Sequence, residues 1–183
     1  MGADFSAIVK RLNGLEKVLK QDAKHIIGVE AVNHFTENFD KQSFEGKKWK
    51  EVKRRDSSSV WSGFKYGSKT AKPDNHPSRK GSSRKYKPRK SGAITNYSPT
   101  ATKTPILSSQ KSELENSIKY KTTGNRVIVY SDKPYADVHN EGGKIKVFGK
   151  ATATVPKRQF IGNSRALQQR IINKIIKKLK IYL

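Results

Sequence analysis

The chain has 183 residues, with a hydrophobic fraction of 33% against 30% charged. It contains no cysteine, which excludes disulfides, zinc–thiolate sites and thiol catalysis together. A count of 39 Lys and Arg against 15 Asp and Glu sets the formal net charge at +24, which favours nucleic acid or an acidic protein surface as a neighbour and says nothing about fold.

The length predicts a single domain, 1–183, carrying an insertion. The opening "MGADFSAIVK" has no long apolar stretch of the kind a secretory leader carries. No run approaches the 18 apolar residues of a membrane span. No membrane partner is therefore expected.

Residues 3–40 read as helix. Phe5, Ile8, Val9, Leu12, Leu15, Val18 and Leu19 recur at spacings of three and four, an amphipathic stripe that predicts packing. Ile27, Ala31, Phe35 and Phe39 continue at fours, with a bend expected near Gln21–Asp22. Gly14 and Gly28 interrupt the pattern at about 1 kcal/mol each relative to alanine. In "KQSFEGKKW", Gly46 supplies a turn from which Phe44 and Trp49 can fold back onto the helix end.

Residues 50–104 differ in kind. They hold four of the seven prolines, more than half of the serines, and 15 Lys or Arg against 3 acids. Trp61, Phe64, Tyr66, Tyr86 and Tyr97 are scattered among the cations. This composition predicts a basic insertion or extended arm without a core of its own. Cations interleaved with aromatics suit backbone phosphates and base stacking; aromatics and arginine equally anchor protein interfaces. Lys53, Arg54, Arg55, Arg79, Lys80, Arg84, Lys85, Lys87, Arg89 and Lys90 are the candidates for contact with DNA or a partner.

Regular patterning returns after 105. A short helix or turn leads into a strand through Ile118 and Tyr120. Gly124-Asn125 turns it into Arg126–Ser131, which alternates Val127 and Val129 with Ile128 and Tyr130. Two short strands are expected at Ile145–Phe148 and Thr152–Val155. Ser164 is a good N-cap for a closing helix to Leu179, with apolar positions Leu167, Ile171, Ile172, Ile175, Ile176 and Leu179. The expected fold is α+β, with a long N-terminal helix or helix pair and a C-terminal helix packed on a small antiparallel sheet.

Reactive constellations are absent from the sequence. His25, His34, His76 and His139 form no metal-spaced pair, the acids are dispersed, and there is neither a P-loop nor a GxSxG. No catalytic residue, cofactor or metal is expected. The lone His139 reads as a half-buried histidine closing a short helical turn.

Three blocks remain: Phe35 and Phe39 with Gly46-x-x-Trp49; "PYADVHNEGG" with Tyr135, Ala136, His139, Gly142 and Gly143; and "VPKRQFIGNS" with Pro156, Arg158, Phe160 and Ile161. In this order, before a closing helix, they resemble the phage virion morphogenesis (tail completion) family, small proteins of the head–tail neck or tail end of tailed bacteriophages. Leu107, Leu114, Ser117 and Ile118 match that family's Leu-rich turn, with Ser112 standing where glycine is usual and one residue extra.

From the residues alone, Tyr135 and Ala136 can start a helical turn, and the two glycines give it a positive-φ exit. Pro156 ends an edge strand, Arg158 offers a fork for a carboxylate or carbonyl, and Phe160 fills the core. The resemblance implies a structural protein of the virion, assembled in the bacterial cytoplasm. It implies a ring, with six subunits expected, around the DNA channel, joined to portal, neck or tail-tube proteins and touching DNA without sequence preference. The alternative is a basic nucleic-acid-binding protein acting alone in packaging or replication.

Overall fold

The computed structural model describes residues 6–79, 96–108, 111–147 and 151–181. The chain begins with one long helical rod. Helix α1 (Ser6–Lys17) runs through a π-helical turn, Val18–Asp22, into α2 (Ala23–Lys41). The bend expected at Gln21–Asp22 is this wider turn, a local irregularity that re-aims a helix without breaking it.

Helix α2 buries Ala31, Phe35 and Phe39, the fours seen in the sequence. Gln42 stops it by entering the left-handed region at φ 48°, its N–H bonded to the carbonyls of Asn38 and Phe39. Gly46, at φ 77°, then turns a minimal hairpin of β1 (Ser43–Phe44) and β2 (Lys47–Lys48). This returns Phe44 and Trp49 to the core.

The turn before β3 is a 3-10 segment, Glu115–Ser117. Strand β3 (Ile118–Thr123) pairs antiparallel with β4 (Arg126–Ser131), Ile118 opposite Ser131 and Thr123 opposite Arg126. Helix α3 (Ala136–Glu141) follows, then β5 (Gly143–Val147) paired with β6 (Ala151–Val155). Phe148, expected to end that strand, lies outside the described residues. Helix α4 (Arg165–Leu179) closes the chain, with Leu167 N–H donating to Ser164 Oγ at 3.0 Å as an N-cap.

The class is α+β. The strands form three separate two-stranded ladders among the described residues rather than one sheet. Helix α2 packs against both strands of the β3–β4 ladder. Gly28 makes that contact possible: a Cβ there would overlap the Tyr120 ring. Tyr120 in turn reaches His25 Nδ1 at 2.9 Å.

Helices α2 and α4 lie antiparallel, locked along one edge by ion pairs at four-residue steps. Arg170 forks onto both Glu37 oxygens at 2.7 and 3.2 Å, Lys174 meets Glu30 at 2.5 Å, and Lys178 meets Asp22 at 3.6 Å. Arg170 first and Lys41 next hold the Glu37 carboxyl at about 2.

The core gathers Ala31, Phe35, Phe39, Phe44, Trp49, Ile106, Leu114, Ile118, Ala136, Phe160 and Leu167. Phe160, 1% exposed, stacks obliquely on Phe39 at 5.1 Å. Full burial of such a side chain is worth about 1.5–3 kcal/mol.

Candidate functional site

The motif residues of the sequence converge on one corner. There, residues 156–162 run extended past the end of α2 without a strand partner, and side chains from three distant places supply their hydrogen bonds. Trp49 Nε1–H donates to the Gln159 carbonyl at 2.7 Å, and Asn38 donates to the Phe160 carbonyl at 3.0 Å. Asn140 Oδ1 accepts from the N–H groups of both Phe160 and Ile161, each at 2.9 Å. The His139 carbonyl accepts Arg158 N–H at 2.8 Å. Buried backbone groups demand partners, and here amide and indole side chains replace the missing strand.

Helix α3 is built to present Asn140 and His139. It starts after Lys133, whose carbonyl accepts Ala136 N–H, and buries Ala136. It ends at Gly142, φ 76°, where a Cβ would sit 2.8 Å from Lys157 N. Gly143 continues at φ 147°. The expected glycine exit is therefore a backbone necessity. Pro156 follows the last residue of β6.

Arg158, 6% exposed, donates from Nε to the Lys50 carbonyl at 3.0 Å and from Nη2 to the Glu51 carbonyl at 3.4 Å. Its fork holds carbonyls. Ser117 Oγ donates to the Leu114 carbonyl and bonds Ser131 Oγ, both at 2.6 Å, closing the turn before β3. Ser112, the residue in place of a glycine, adopts φ 45°, the left-handed region where glycine is at ease.

A second node joins three elements behind this corner. Ser164 Oγ accepts Leu167 N–H and donates its one proton to the Glu45 carboxylate. Its contact with His34 Nε2, at 2.9 Å, must then be donated by the imidazole. This leaves His34 Nδ1 bare, buried and without a hydrogen-bond partner among the described residues. Burial first, then Arg170, pulls the His34 imidazole below its ordinary range. His139 behaves alike: Nδ1 is buried without a partner, Tyr135 stacks edge-on at 6.0 Å, and burial followed by Arg158 lowers it.

The candidate cations divide. Lys53 is exposed. Arg54 is half-buried and donates from Nη2 to the carbonyls of Thr104 at 3.1 Å and Pro105 at 2.6 Å, clasping the two ends of the basic tract. Arg55 donates to Gln42 Oε1 at 2.7 Å and pairs with Glu51 at 3.4 Å. Arg79 closes a 3-10 turn, Pro77–Arg79. Lys80, Arg84, Lys85, Lys87, Arg89 and Lys90 lie outside the described residues, as does Tyr86.

The described part of 50–104 has local packing of its own. His76 is buried, with Nε2 on the Ser62 carbonyl at 2.8 Å and its ring edge-on to Tyr97. Tyr97 bridges to Phe64 and Thr70, and Trp61 packs edge-on against Phe64.

The stripe on α1 does not pack as the sequence predicts. None of its residues is buried, and Ile8, Val9 and Leu12 face outward, Leu12 with 58% exposure. The core closes at Val18, one π-turn further on, so α1 projects past the body that α4 and β3 cover. A second exposed stripe, Ile172 and Ile176, runs along α4.

Among the described residues no group of three or more His, Cys, Asp or Glu is placed to hold a metal ion, and no helix is long and apolar enough to cross a membrane. The motif side chains of this corner bond backbone groups of distant segments, and the fold is a small α+β scaffold.

The sequence matches the phage virion morphogenesis family over residues 76–180. That is more than half of the chain, and the chain belongs to this family. Its role is in the morphogenesis of a phage particle. The blocks around His139 and Arg158 fall inside the matched stretch; Phe35, Phe39, Gly46 and Trp49 precede it. No curated protein and no solved structure matches the chain.

Asn38, Asn140 and Glu45 are hydrogen-bonding residues of this corner that the sequence did not single out, and His34 was weighed there only as a metal ligand. Nothing local to "HNEGG" distinguishes a solvated Asn140 amide from one that bonds a chain segment 20 residues away.

Proposed function

We propose that the protein is a structural component of a tailed-phage virion that closes into a ring at the neck or tail end. The observation that carries this reading is the bare apolar stripe of α1, joined to membership of a morphogenesis family. An amphipathic helix whose own body leaves Ile8, Val9 and Leu12 in water is a poor monomer surface. A head-to-tail contact, α1 of one copy on a different face of the next, buries the stripe and closes into a ring when the rotation fits. Six copies around a DNA channel, stacked on portal, neck or tail-tube proteins, is the arrangement we favour.

In such a ring the basic tract 50–104 lines the channel or embraces a neighbour. Its cations attract duplex DNA without reading sequence. The tract lies outside the fold's core in this reading, so a chain lacking 55–100 is expected to keep its helical circular dichroism and lose assembly.

Native mass spectrometry of the purified protein tests the ring. A closed high oligomer is expected, and Leu12→Lys is expected to reduce it to monomer with unchanged helix content. A wild-type monomer or dimer that binds DNA with steep salt dependence would instead favour the stand-alone nucleic-acid-binding protein.

A further inference from the structure

Between the start of the basic tract and the motif corner lies a cavity of about 250 Å³. Arg54, Arg158, His139 and Tyr135 line it with the apolar walls of Leu107 and Leu114. Two guanidiniums share this small space. Arg158 is almost wholly buried, and burial first, then Arg54, draws it below the ordinary arginine range. Among the described residues the cavity lining contains no acid.

The carboxylate acting on both arginines is that of Glu51. It is engaged elsewhere, accepting Val52 N–H at 2.8 Å and pairing with Arg55. Among the described residues the donors are also incompletely used. Arg54 bonds through Nη2 alone, which leaves Nε and Nη1; Arg158 bonds through Nε and Nη2, which leaves Nη1. Two like charges lining one cavity, with N–H groups unspent among the described residues, call for an anion.

We propose that this cavity is a socket for a carboxylate presented by a protein partner: a Glu or Asp side chain whose oxygens bridge Arg54 and Arg158 while its methylenes lie on Leu107 and Leu114. A duplex phosphate is the poorer fit. DNA presents its charges on a broad rod, whereas a cavity of about 250 Å³ with apolar walls beside its arginines matches a single side chain. The socket stands on the cavity alone, so its failure would leave the ring reading untouched.

The test is an NMR titration of the full-length protein with N-acetyl-glutamate α-amide, following the Arg158 Nε–H and His139 ring signals. The expected result is saturable shifts of both, and a rise of the His139 pKa as the bound carboxylate offsets Arg158. The matched glutamine amide and a 20-base-pair duplex are expected to move neither. Arg54→Gln is expected to weaken the titration at least tenfold with circular dichroism unchanged. If that variant unfolds, Arg54→Lys keeps the charge, loses the fork, and is expected to weaken it severalfold. Movement by the duplex or by inorganic phosphate as readily as by the glutamate amide overturns the assignment, as does an Arg54→Lys protein that binds like wild type.

Discussion

The indole N–H of Trp49 donates to the carbonyl of Gln159 at 2.7 Å, across 110 positions of sequence. The same ring sits edge-on to Phe39 at 5.5 Å. One side chain thus ties the hairpin after α2 to the extended segment before α4. Trp49→Phe keeps the aromatic packing and orphans a part-buried carbonyl. A loss of about 1–3 kcal/mol is expected, read as a lower urea midpoint with an unchanged slope.

Asn140 serves two backbone N–H groups with one oxygen. Asn140→Ala leaves both unpaired and is expected to cost about 2–4 kcal/mol. Asn140→Asp keeps an acceptor and is expected to recover most of that in the same denaturation experiment. An alanine variant as stable as wild type would show that water replaces the amide there.

Ser112 holds φ 45°, a conformation that costs a side-chain-bearing residue about 1–2 kcal/mol. Ser112→Gly relieves it, less the entropy glycine loses on folding. The expected net gain is about 0.5–1 kcal/mol, visible as a rise of a few degrees in Tm.

Gly28→Ala drives a methyl group into the Tyr120 ring, and overpacking of this kind costs about 1–3 kcal/mol. In a Tyr120→Leu background the same substitution is expected to cost much less. A double-mutant cycle measures the difference. Additive losses would place the strain elsewhere.

His34 and His139 are both held neutral, with folded-state values below the unfolded 6.5. The unfolded chain therefore binds more protons, so stability is full above pH 6.5 and falls as pH drops from there toward each folded-state value. The slope reaches up to about 1.4 kcal/mol per pH unit for each histidine. Glu37, at about 2, is shifted in the same downward direction with a separate window: its contribution is full above 4.5 and lost as pH falls toward 2. Denaturation midpoints between pH 7.5 and 5 are expected to decline in wild type and to decline less in His34→Gln.

Much of the fold is legible in the chain itself. The fours of Ala31, Phe35 and Phe39 mark α2, the alternation of Val127 and Val129 marks β4, and Gly124-Asn125 marks the turn between β3 and β4. Ser164 announces α4. Each of these signals lies within a few residues of the structure it specifies. The left-handed turn at Ser112 was visible only as a departure from a glycine.

Local periodicity thus determined the helices, the hairpins and the order of the motif blocks. Tertiary structure decided which surfaces are covered. The stripe of Ile8, Val9 and Leu12 has the same spacing as that of Leu167 and Ile171, yet only the latter meets the core, because amphipathicity records that a face needs a partner and not whether the same chain provides one. Likewise Asn38, Trp49 and Asn140 act on one backbone segment through hydrogen bonds to residues 20 to 122 positions away. Such bonds leave no spacing in sequence, because the chain's path, and not its pattern, brings the donors to the acceptors.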